Sequence, residues 1–213
     1  MSRVWIDLAN PNLEGDGVEP SPALRELWKE AGLIWDRKEN DPEFGSFVSS
    51  DYEEAFRVLA HLRGRVRTFL EWGSGLGIVT LTASSLGYEA YGIEAEPKLV
   101  EMSRELADRY FLEAHFAVGN FIPDDYQWNP DFGEEALRSG LEIEPGYDSL
   151  DMTLGDFDLV YVFPWPDEQE FCTDIMKQCG DRGAFLLIHD SREGFLLSGS
   201  GVPEGGFPSL AES

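Results

Sequence analysis

Strand-like and helix-like patterns alternate over more than a hundred residues of this sequence, and this alternation restricts the fold more than any other feature. Five short apolar or alternating runs are typical of strands, at 66–71, 88–94, 114–118, 157–163 and 184–188. Amphipathic helical patterns follow the first, second and fourth of these runs. Such an alternation predicts an α/β fold with a doubly wound, mostly parallel sheet.

The first part of the chain, residues 1–63, is interpreted as a helical extension that packs on the main domain. Within it, Ser21 is predicted to cap a short helix that ends at Gly32. Ser50 and Glu53 have the spacing of a capping box, which predicts that a second helix begins there.

The main domain is predicted to span residues 64–197. Within it, the acidic segment 120–156 is longer than an ordinary connection, so we interpret it as a functional insertion that acts as a lid. Beyond the fifth strand the chain has one short apolar stretch, 195–197, and then a Gly- and Pro-rich tail, 198–213, that we expect to be mobile. A full C-terminal antiparallel hairpin is therefore predicted to be missing from the sheet.

The charge of the chain restricts its partners. The sequence has 16 Lys and Arg residues against 41 Asp and Glu residues, which gives a formal net charge of −25. A surface this acidic repels phosphate backbones and anionic lipids, so we expect neither nucleic acid nor membrane as a partner. No cluster of Lys and Arg is identified that would override this expectation.

The two cysteines and the N-terminus favour a cytoplasmic protein. Cys172 and Cys179 are predicted to lie two turns apart on one helix, which is too far for a disulfide. Neither belongs to a Cys-x-x-Cys pair, so no metal site is predicted. The N-terminus lacks the basic and apolar regions of a signal peptide, and no apolar run has the length of a membrane span.

A glycine-rich turn follows the first predicted strand, at residues 71–77 (EWGSGLG). In an open parallel sheet, ligands bind at the carboxyl ends of the strands, where the strand order reverses. Glycines there let the backbone turn sharply and approach a ligand closely. The turn also leads into the first turn of a helix, whose N–H groups favour an anionic group such as a carboxylate.

The residues around this turn distinguish between possible ligands. A dinucleotide site requires a third glycine where this chain has Ile78, and the charge of Glu71 would repel a pyrophosphate. The same carboxylate suits a ligand with a cationic amino group. S-adenosylmethionine has an amino group, a sulfonium charge and no phosphate, so the turn favours this cofactor over NAD.

The next two predicted strands end in further candidates for nucleoside binding. Glu94 ends the second strand, where an acidic side chain can accept hydrogen bonds from both ribose hydroxyls. The third strand leads into Asn120 and Phe121. Asn120 is predicted to bind the edge of the adenine, and Phe121 to cover its face.

From about residue 50 to 190, the chain resembles the class I S-adenosylmethionine-dependent methyltransferases. The resemblance implies that the glycine turn wraps the methionine part, that Glu94 binds the ribose, and that Asn120, where the family usually has Asp, contacts the adenine. The motifs at 92–94 and 119–121 are similar to those of a branch that contains several protein lysine methyltransferases. The candidate cofactor-binding residues are Glu71, Gly73, Ser74, Gly75, Gly77, Glu94, Asn120 and Phe121.

The candidate catalytic residues are Pro164, Trp165 and His189, at the ends of the fourth and fifth predicted strands. In the family the fourth strand ends where the acceptor meets the methyl group, and stacking on Trp165 would position a planar nucleophile. His189 is a candidate base, because a reference pKa of about 6.5 leaves it neutral at working pH. The alternatives are that Pro164 only ends the strand and that His189 has a capping or loop role.

The sequence therefore predicts a methyltransferase that acts on a small-molecule or protein acceptor. Because the surface is acidic, we expect this acceptor to be cationic or neutral. The alternative is a non-catalytic methyltransferase-like module that serves a partner protein. An NAD(P)-dependent oxidoreductase is disfavoured by Ile78 and by the lack of a nearby Tyr-x-x-x-Lys set. The sequence leaves the oligomeric state open.

Overall fold

A seven-stranded mixed sheet forms the centre of the protein in the computed structural model, which describes residues 2–6, 18–38, 50–132, 143–165 and 168–200. The strands are β1 (Ser2–Ile6), β2 (Thr68–Trp72), β3 (Glu89–Glu94), β4 (Ala114–Val118), β5 (Leu159–Val162), β6 (Phe185–Asp190) and β7 (Gly194–Gly199). The helices are α1 (Pro22–Lys38), α2 (Tyr52–Leu62), α3 (Ile78–Ser85), α4 (Pro97–Tyr110), α5 (Tyr147–Leu150) and α6 (Gln169–Cys179).

The strand order is β1-β7-β6-β5-β2-β3-β4, and strands β2 to β6 are parallel. From β2 the chain moves outward through β3 to β4, and then returns to the other side of β2 as β5 and β6. The strand order therefore reverses between β2 and β5, which places a crevice at their carboxyl ends. The predicted α/β fold class is confirmed.

The prediction that the C-terminal antiparallel hairpin is missing is wrong. β7 pairs antiparallel with β6 over six residue pairs, from Phe185–Gly199 to Asp190–Gly194. The turn between them is built locally: Asp190 Oδ1 accepts hydrogen bonds from the N–H groups of Arg192 and Glu193, at 2.8 and 2.9 Å. Gly194 then adopts a φ of +89°, a conformation that glycine allows.

The N-terminal extension also contributes a strand to the sheet. β1 pairs antiparallel with β7, with Ser2 opposite Gly199 and Ile6 opposite Phe195. The Arg3 guanidinium also forms an ion pair with the Glu170 carboxylate on α6, through two hydrogen bonds of 2.9 and 3.2 Å. The outer edge of β7 is therefore covered by the opposite end of the chain.

The core lies on both faces of the sheet. Phe69 and Leu70, neighbours in β2, belong to two separate apolar clusters, as the alternation of side chains along a strand requires. Phe69 packs with residues of α1 to α4, and Leu70 packs with α6 and with parts of the acidic insertion. Within that insertion, Tyr147 and Leu154 are buried, so these two residues belong to the core.

Two helix boundaries differ from those predicted. α1 continues through Gly32 to Lys38, and this glycine has no positive φ that would end the helix. The N-cap of α2 is Asp51 rather than Ser50, because the Asp51 carboxylate accepts the N–H of Glu54 at 3.0 Å. The Ser50 hydroxyl instead forms a hydrogen bond with Tyr161 Oη, 3.0 Å away.

Within the insertion, the weak helix predicted near 131–139 begins as a 3-10 turn, Pro130–Phe132, and its remainder lies outside the described residues. The predicted mobile tail begins at 198, but residues 198 and 199 belong to β7, and 201–213 lie outside the described residues. No helix in the described ranges is long and apolar enough to cross a bilayer.

The prediction that Lys and Arg form no cluster is also wrong. Arg63, Arg65 and Arg67 lie between α2 and β2 and line one cleft at the amino ends of the parallel strands. They share this cleft because the connection between the two elements is short and ends where the sheet begins. The cleft lies at the edge of the sheet opposite to the glycine turn.

Candidate functional site

The turn between β2 and α3 lies at the reversal of strand order, and its three glycines have left-handed backbones. The φ angles of Gly73, Gly75 and Gly77 are +67°, +54° and +72°. A Cβ on Gly77 would lie 2.6 Å from the ring of Phe116, whereas a Cβ on Gly73 would meet no atom within 4 Å. Gly77 is thus required by packing, while Gly73 borders open space.

Glu71, at the end of β2, is held by the first turn of α3. Its Oε2 accepts hydrogen bonds from the backbone N–H of Thr80 at 2.8 Å and from Thr80 Oγ1 at 2.5 Å. Burial raises the pKa of Glu71 to about 8, and the hydrogen bonds from Thr80 only partly oppose this. The carboxyl group is therefore mostly neutral near pH 7, which differs from the charged partner that the sequence predicts.

Glu94, at the end of β3, is hydrogen-bonded to the glycine turn. Its Oε2 accepts the N–H of Gly75 at 2.8 Å, and its Oε1 accepts the N–H of Glu96 at 2.9 Å. Burial raises the pKa of Glu94 above its ordinary value. A carboxylate offers about four acceptor positions, so these hydrogen bonds leave capacity for a hydroxyl group of a ligand.

Ser74, which lies in the turn, is a second residue with a hydrogen-bonding group left for a ligand. Its N–H donates to the carbonyl of Ile93 at 3.0 Å, while its buried hydroxyl has no hydrogen-bond partner among the described residues. The hydroxyl lies close to β3, because a Cβ on Gly92 would be only 2.8 Å from Ser74 Oγ. A buried polar atom without a partner is costly unless a ligand or water completes its hydrogen bonds.

Asn120 follows β4, but its side chain is used within the protein. Its Oδ1 accepts the N–H of Ile122 at 2.7 Å, and its Nδ2 donates to the carbonyl of Ile143. Its backbone is also bonded to Glu144 and Gly146. Asn120 therefore ties residues 143–146 to the end of β4, a role that the sequence did not predict.

Phe121 is also committed to internal packing. Its ring stacks on Trp72 with centroids 4.9 Å apart and planes inclined by 15°, and only 8% of the residue is exposed. Tyr147 fixes both residues, since its Oη donates to the Phe121 carbonyl and accepts from Trp72 Nε1. One face of the Phe121 ring is thus in contact with Trp72.

Pro164 and Trp165 follow β5 at the same edge of the sheet. Trp165 is 36% exposed. Its backbone N–H donates to the Glu168 carboxylate at 3.2 Å, and its carbonyl accepts the N–H of Glu168 at 3.1 Å. Pro164 is half-buried. Trp165 is thus partly exposed to solvent at this edge of the sheet.

His189, near the end of β6, lies between two aromatic rings. Its imidazole stacks on Phe163 and Phe195, with centroid distances of 4.5 and 4.4 Å, and only 5% of the residue is exposed. Its Nδ1 lies 3.2 Å from Tyr161 Oη. Burial lowers the pKa of His189, so the imidazole is neutral at pH 7.

Tyr161 links this histidine to the N-terminal part of the chain, a role that sequence analysis missed. The sequence pattern indicates a core residue, and Tyr161 is indeed fully buried in β5, directly opposite Glu71 of β2. Its hydroxyl nevertheless contacts both Ser50 and His189. No local pattern signals this chain of hydrogen bonds, because Ser50 and Tyr161 lie 111 residues apart.

Metal ligation has no support from the described ranges, where no three His, Cys, Asp or Glu side chains are grouped to hold an ion. Cys172 and Cys179 both lie on α6 as predicted, and neither is paired in a disulfide. Burial raises the pKa of the Cys172 thiol, so it stays protonated.

Comparison with known proteins gives local matches to curated methyltransferases. No protein-family profile matches the chain. Ribosomal protein L11 methyltransferase from Cupriavidus taiwanensis is 40% identical over 58 residues, which is 27% of this chain and 20% of that protein. The same enzyme from Ralstonia pickettii is 41% identical over 66 residues, 30% of this chain and 20% of that protein. The matches therefore cover about a fifth of the length of these relatives.

Among solved structures, a Staphylococcus aureus protein assigned as a caffeoyl-CoA O-methyltransferase is similar in fold. Its TM-score is 0.52 at 12% identity, over 83% of this chain and 69% of that chain. At this identity the similarity concerns the fold alone. The chain has the fold of the class I S-adenosylmethionine-dependent methyltransferases.

Proposed function

We propose that this chain is a methyltransferase that binds S-adenosylmethionine at the glycine turn. The observation that carries the proposal is the hydrogen bond between Glu94 and the glycine turn, in which the Gly75 N–H donates to the Glu94 carboxylate at 2.8 Å. This contact joins the ends of β2 and β3 beside the reversal of strand order, where this fold class binds its ligands. The local matches to L11 methyltransferases support the same conclusion.

The residues of the turn fit this cofactor. Gly73 leaves room for the methionine part, and the orphaned hydroxyl of Ser74 is suited to its carboxylate. The acceptor capacity that remains on Glu94 suits the ribose hydroxyls. When bound, S-adenosylmethionine supplies an electrophilic methyl group on a sulfonium sulfur.

Glu71 is suited to the cationic amino group, although burial keeps it mostly neutral near pH 7. A cation nearby would favour the ionised form and lower its pKa. Cofactor affinity should therefore include a component that increases as the pH rises towards 8. Since the amino group of the ligand also titrates in this range, the comparison of wild type with Glu71→Gln isolates this component.

At the adenine side, we propose indirect roles for Asn120 and Phe121. Both are engaged in contacts within the protein, Asn120 with residues 143–146 and Phe121 with Trp72. These contacts support the wall of the site next to β4. A substitution such as Asn120→Ala should consequently reduce stability as well as affinity.

On the acceptor side, we propose that Trp165 and Pro164 contact the acceptor and that His189 positions them. Trp165 is exposed at the end of β5, whereas His189 is enclosed by Phe163 and Phe195. A neutral imidazole packed in this way holds the ends of β5 and β6 in register. Removing its ring should lower the turnover number more than it changes the Michaelis constant for the cofactor.

We further propose that the acceptor is a cationic protein side chain. The local matches are to enzymes named for a ribosomal protein, which supports a protein over a small molecule as the acceptor. The net charge of −25 attracts cationic partners, which supports a cationic side chain. An amine nucleophile needs alignment and loss of a proton. Trp165 would provide the aromatic surface for the alignment.

Cofactor binding is tested by calorimetric titration with S-adenosylmethionine and, separately, with NADH. Gly73→Ala and Gly64→Ala form a matched pair of variants, because both glycines have positive φ and a Cβ on either meets no atom within 4 Å. Both variants should lose similar stability, and only Gly73→Ala should weaken binding. Equal affinity in the two variants, or heat with NADH alone, would overturn the assignment.

Methyl transfer is tested with methyl-labelled cofactor and cell extract, followed by separation of protein from small molecules. Label in protein supports the proposed acceptor, and label in small molecules would replace it by a small-molecule acceptor. Trp165→Ala should lose transfer while it retains cofactor affinity. Tight cofactor binding with no labelled product would instead favour a non-catalytic module.

A further inference from the structure

Three polar side chains form a hydrogen-bond network between the start of α2 and the end of β6. Ser50 Oγ lies 3.0 Å from Tyr161 Oη, which in turn lies 3.2 Å from His189 Nδ1. Tyr161 and His189 are buried. Because buried polar groups need hydrogen-bond partners, the direction of each bond in this network has an energetic consequence.

The imidazole of His189 is held in one plane by its neighbours. Phe163 and Phe195 stack on its faces, with interplanar angles of 21° and 8°. Half a turn of the ring about χ2 would keep this stacking, but it would place a carbon where Nδ1 now contacts Tyr161. The hydrogen bond with Tyr161 therefore selects one of the two orientations of the ring.

The two hydroxyl groups of the network are themselves fixed. Tyr161 lies in β5, and its ring packs against Phe69 and Phe195, with centroid distances of 6.4 and 6.5 Å. Ser50 immediately precedes Asp51, whose carboxylate caps α2. Both hydroxyl groups are thus positioned by elements of secondary structure, one in the sheet and one at the start of a helix.

Each of the three side chains has one hydrogen that it can donate. Burial raises the pKa of Tyr161 well above its ordinary value, so the phenol stays protonated. Burial lowers the pKa of His189, so the imidazole is neutral and carries a proton on only one ring nitrogen. The hydrogen bonds can therefore run in either of two directions, from Ser50 through Tyr161 to Nδ1, or from Nδ1 through Tyr161 to Ser50.

The acidities of the groups favour the first direction. A hydrogen bond is stronger when the donor is more acidic and the acceptor more basic. A phenol, with a reference pKa of about 10, is more acidic than an aliphatic hydroxyl or a neutral imidazole N–H, and the imidazole nitrogen is the strongest base of the three groups. Tyr161 therefore donates to His189 Nδ1, Ser50 donates to Tyr161, and the proton of the imidazole lies on Nε2.

We propose that Tyr161 is a positioning residue that holds His189 in the Nε2–H form, which makes His189 a hydrogen-bond donor and not a base. In this form Nδ1 accepts from Tyr161, and Nε2 has no lone pair in the plane of the ring. Neither nitrogen can accept a proton from an acceptor amine while the network is intact. The consequence for methyl transfer rests on the proposed function, whereas the tautomer is a property of the chain alone.

The tautomer is measured with the full chain labelled with 15N at histidine, by long-range correlation of the ring protons with the ring nitrogens. The chain has three histidines, so His61→Gln and His115→Gln identify the remaining signals as those of His189. At pH 8, where the imidazole is neutral, the proton should lie on Nε2. A proton on Nδ1 would overturn the proposal and would leave His189 a candidate base.

The matched variants are Tyr161→Phe and Tyr88→Phe. Each removes the hydroxyl of a buried tyrosine that forms a hydrogen bond, with His189 in the first case and with the Leu59 carbonyl in the second. Tyr161→Phe should abolish the preference for one tautomer, so the two nitrogen signals of His189 should move towards each other. Tyr88→Phe should leave them unchanged. Unaltered signals in Tyr161→Phe would show that Tyr161 does not position the imidazole.

Ser50→Ala tests the direction of the network. If Tyr161 donates to His189, the proton of the imidazole should stay on Nε2 in this variant, because that hydrogen bond remains. If Tyr161 instead donates to Ser50, the variant removes its acceptor and the tautomer should change, which would contradict the proposal. None of these measurements needs cofactor or acceptor, so a failure of the proposed methyltransferase function would be seen separately, in the titration with S-adenosylmethionine.

Discussion

The carboxyl group of Glu71 accepts two hydrogen bonds from Thr80, one from the backbone N–H and one from the hydroxyl, and so joins the end of β2 to the first turn of α3. Both residues are buried. This contact spans the glycine turn, because residues 73–77 lie between its two ends. The conformation of the turn is thus fixed from both sides, by Glu71 and Thr80 along the chain and by Glu94 from the next strand.

The first prediction concerns Thr80→Val, which removes the hydroxyl donor and keeps the shape of the side chain. Glu71 would then retain only the backbone hydrogen bond, so we expect a loss of about 1–3 kcal/mol in the free energy of unfolding. Thr173→Val is the control, because the buried Thr173 hydroxyl bonds only to Gln169 of its own helix. Chemical denaturation measures both, and equal losses would contradict the role assigned to Thr80.

The second prediction concerns the pH dependence of stability. Burial raises the pKa of Glu71 from an ordinary value of 4.5 to about 8, so in this range the folded state binds more protons than the unfolded state. The stability from Glu71 is therefore present below about pH 4.5 and is lost as the pH rises to about 8, by up to about 1.4 kcal/mol per pH unit.

Glu71→Gln should remove this component, and its stability relative to wild type should increase between pH 5 and 8. Denaturation curves across that range measure the difference. The same substitution at Glu101, which is exposed on α4, serves as the control. Parallel curves for wild type and Glu71→Gln would show that the carboxyl is not held in its neutral form.

Much of the central sheet can be predicted from the sequence, because its signals are local. All five predicted strands are present, and each observed end lies within two residues of its predicted position. A buried parallel strand requires a short apolar run, and this pattern does not depend on distant residues. The same reasoning predicts the glycine turn, whose left-handed backbones only glycine adopts readily.

The features that were missed depend on contacts between distant parts of the chain. β1 pairs with β7 across nearly the whole sequence, and no pattern within residues 2–6 identifies that partner. The side chain of Asn120 is occupied by Ile143, 23 residues later, within an insertion that has no regular periodicity. The turn before β7 was recognisable, since Asp190 and Gly194 bracket three residues as in many hairpins.

The third prediction compares the two ends of the glycine turn. Alanine at either Gly73 or Gly77 must adopt a positive φ, which costs roughly 1–2 kcal/mol. Gly77→Ala also places a Cβ 2.6 Å from Phe116 and 2.9 Å from Ser103, which adds about 1–3 kcal/mol of overpacking. Thermal or chemical denaturation should therefore show a larger loss for Gly77→Ala, and an equal loss would contradict the packing at Phe116.

The last prediction concerns β1 and compares two neighbouring positions with the same substitution. Val4 packs against the apolar cluster that covers one face of the sheet, while Trp5, on the other face of the strand, is 43% exposed. Val4→Asp would place a charge against that cluster and release β1, at a cost of roughly 1–3 kcal/mol. Trp5→Asp should cost much less, because its side chain already contacts solvent.

Release of β1 would leave the outer edge of β7 without its antiparallel partner. An exposed strand edge pairs readily with other chains, so Val4→Asp should also associate in solution as its concentration rises. Light scattering with size-exclusion chromatography measures this association, and chemical denaturation measures the stability. If Val4→Asp and Trp5→Asp remain equally stable and equally monodisperse, β1 does not support the sheet in solution.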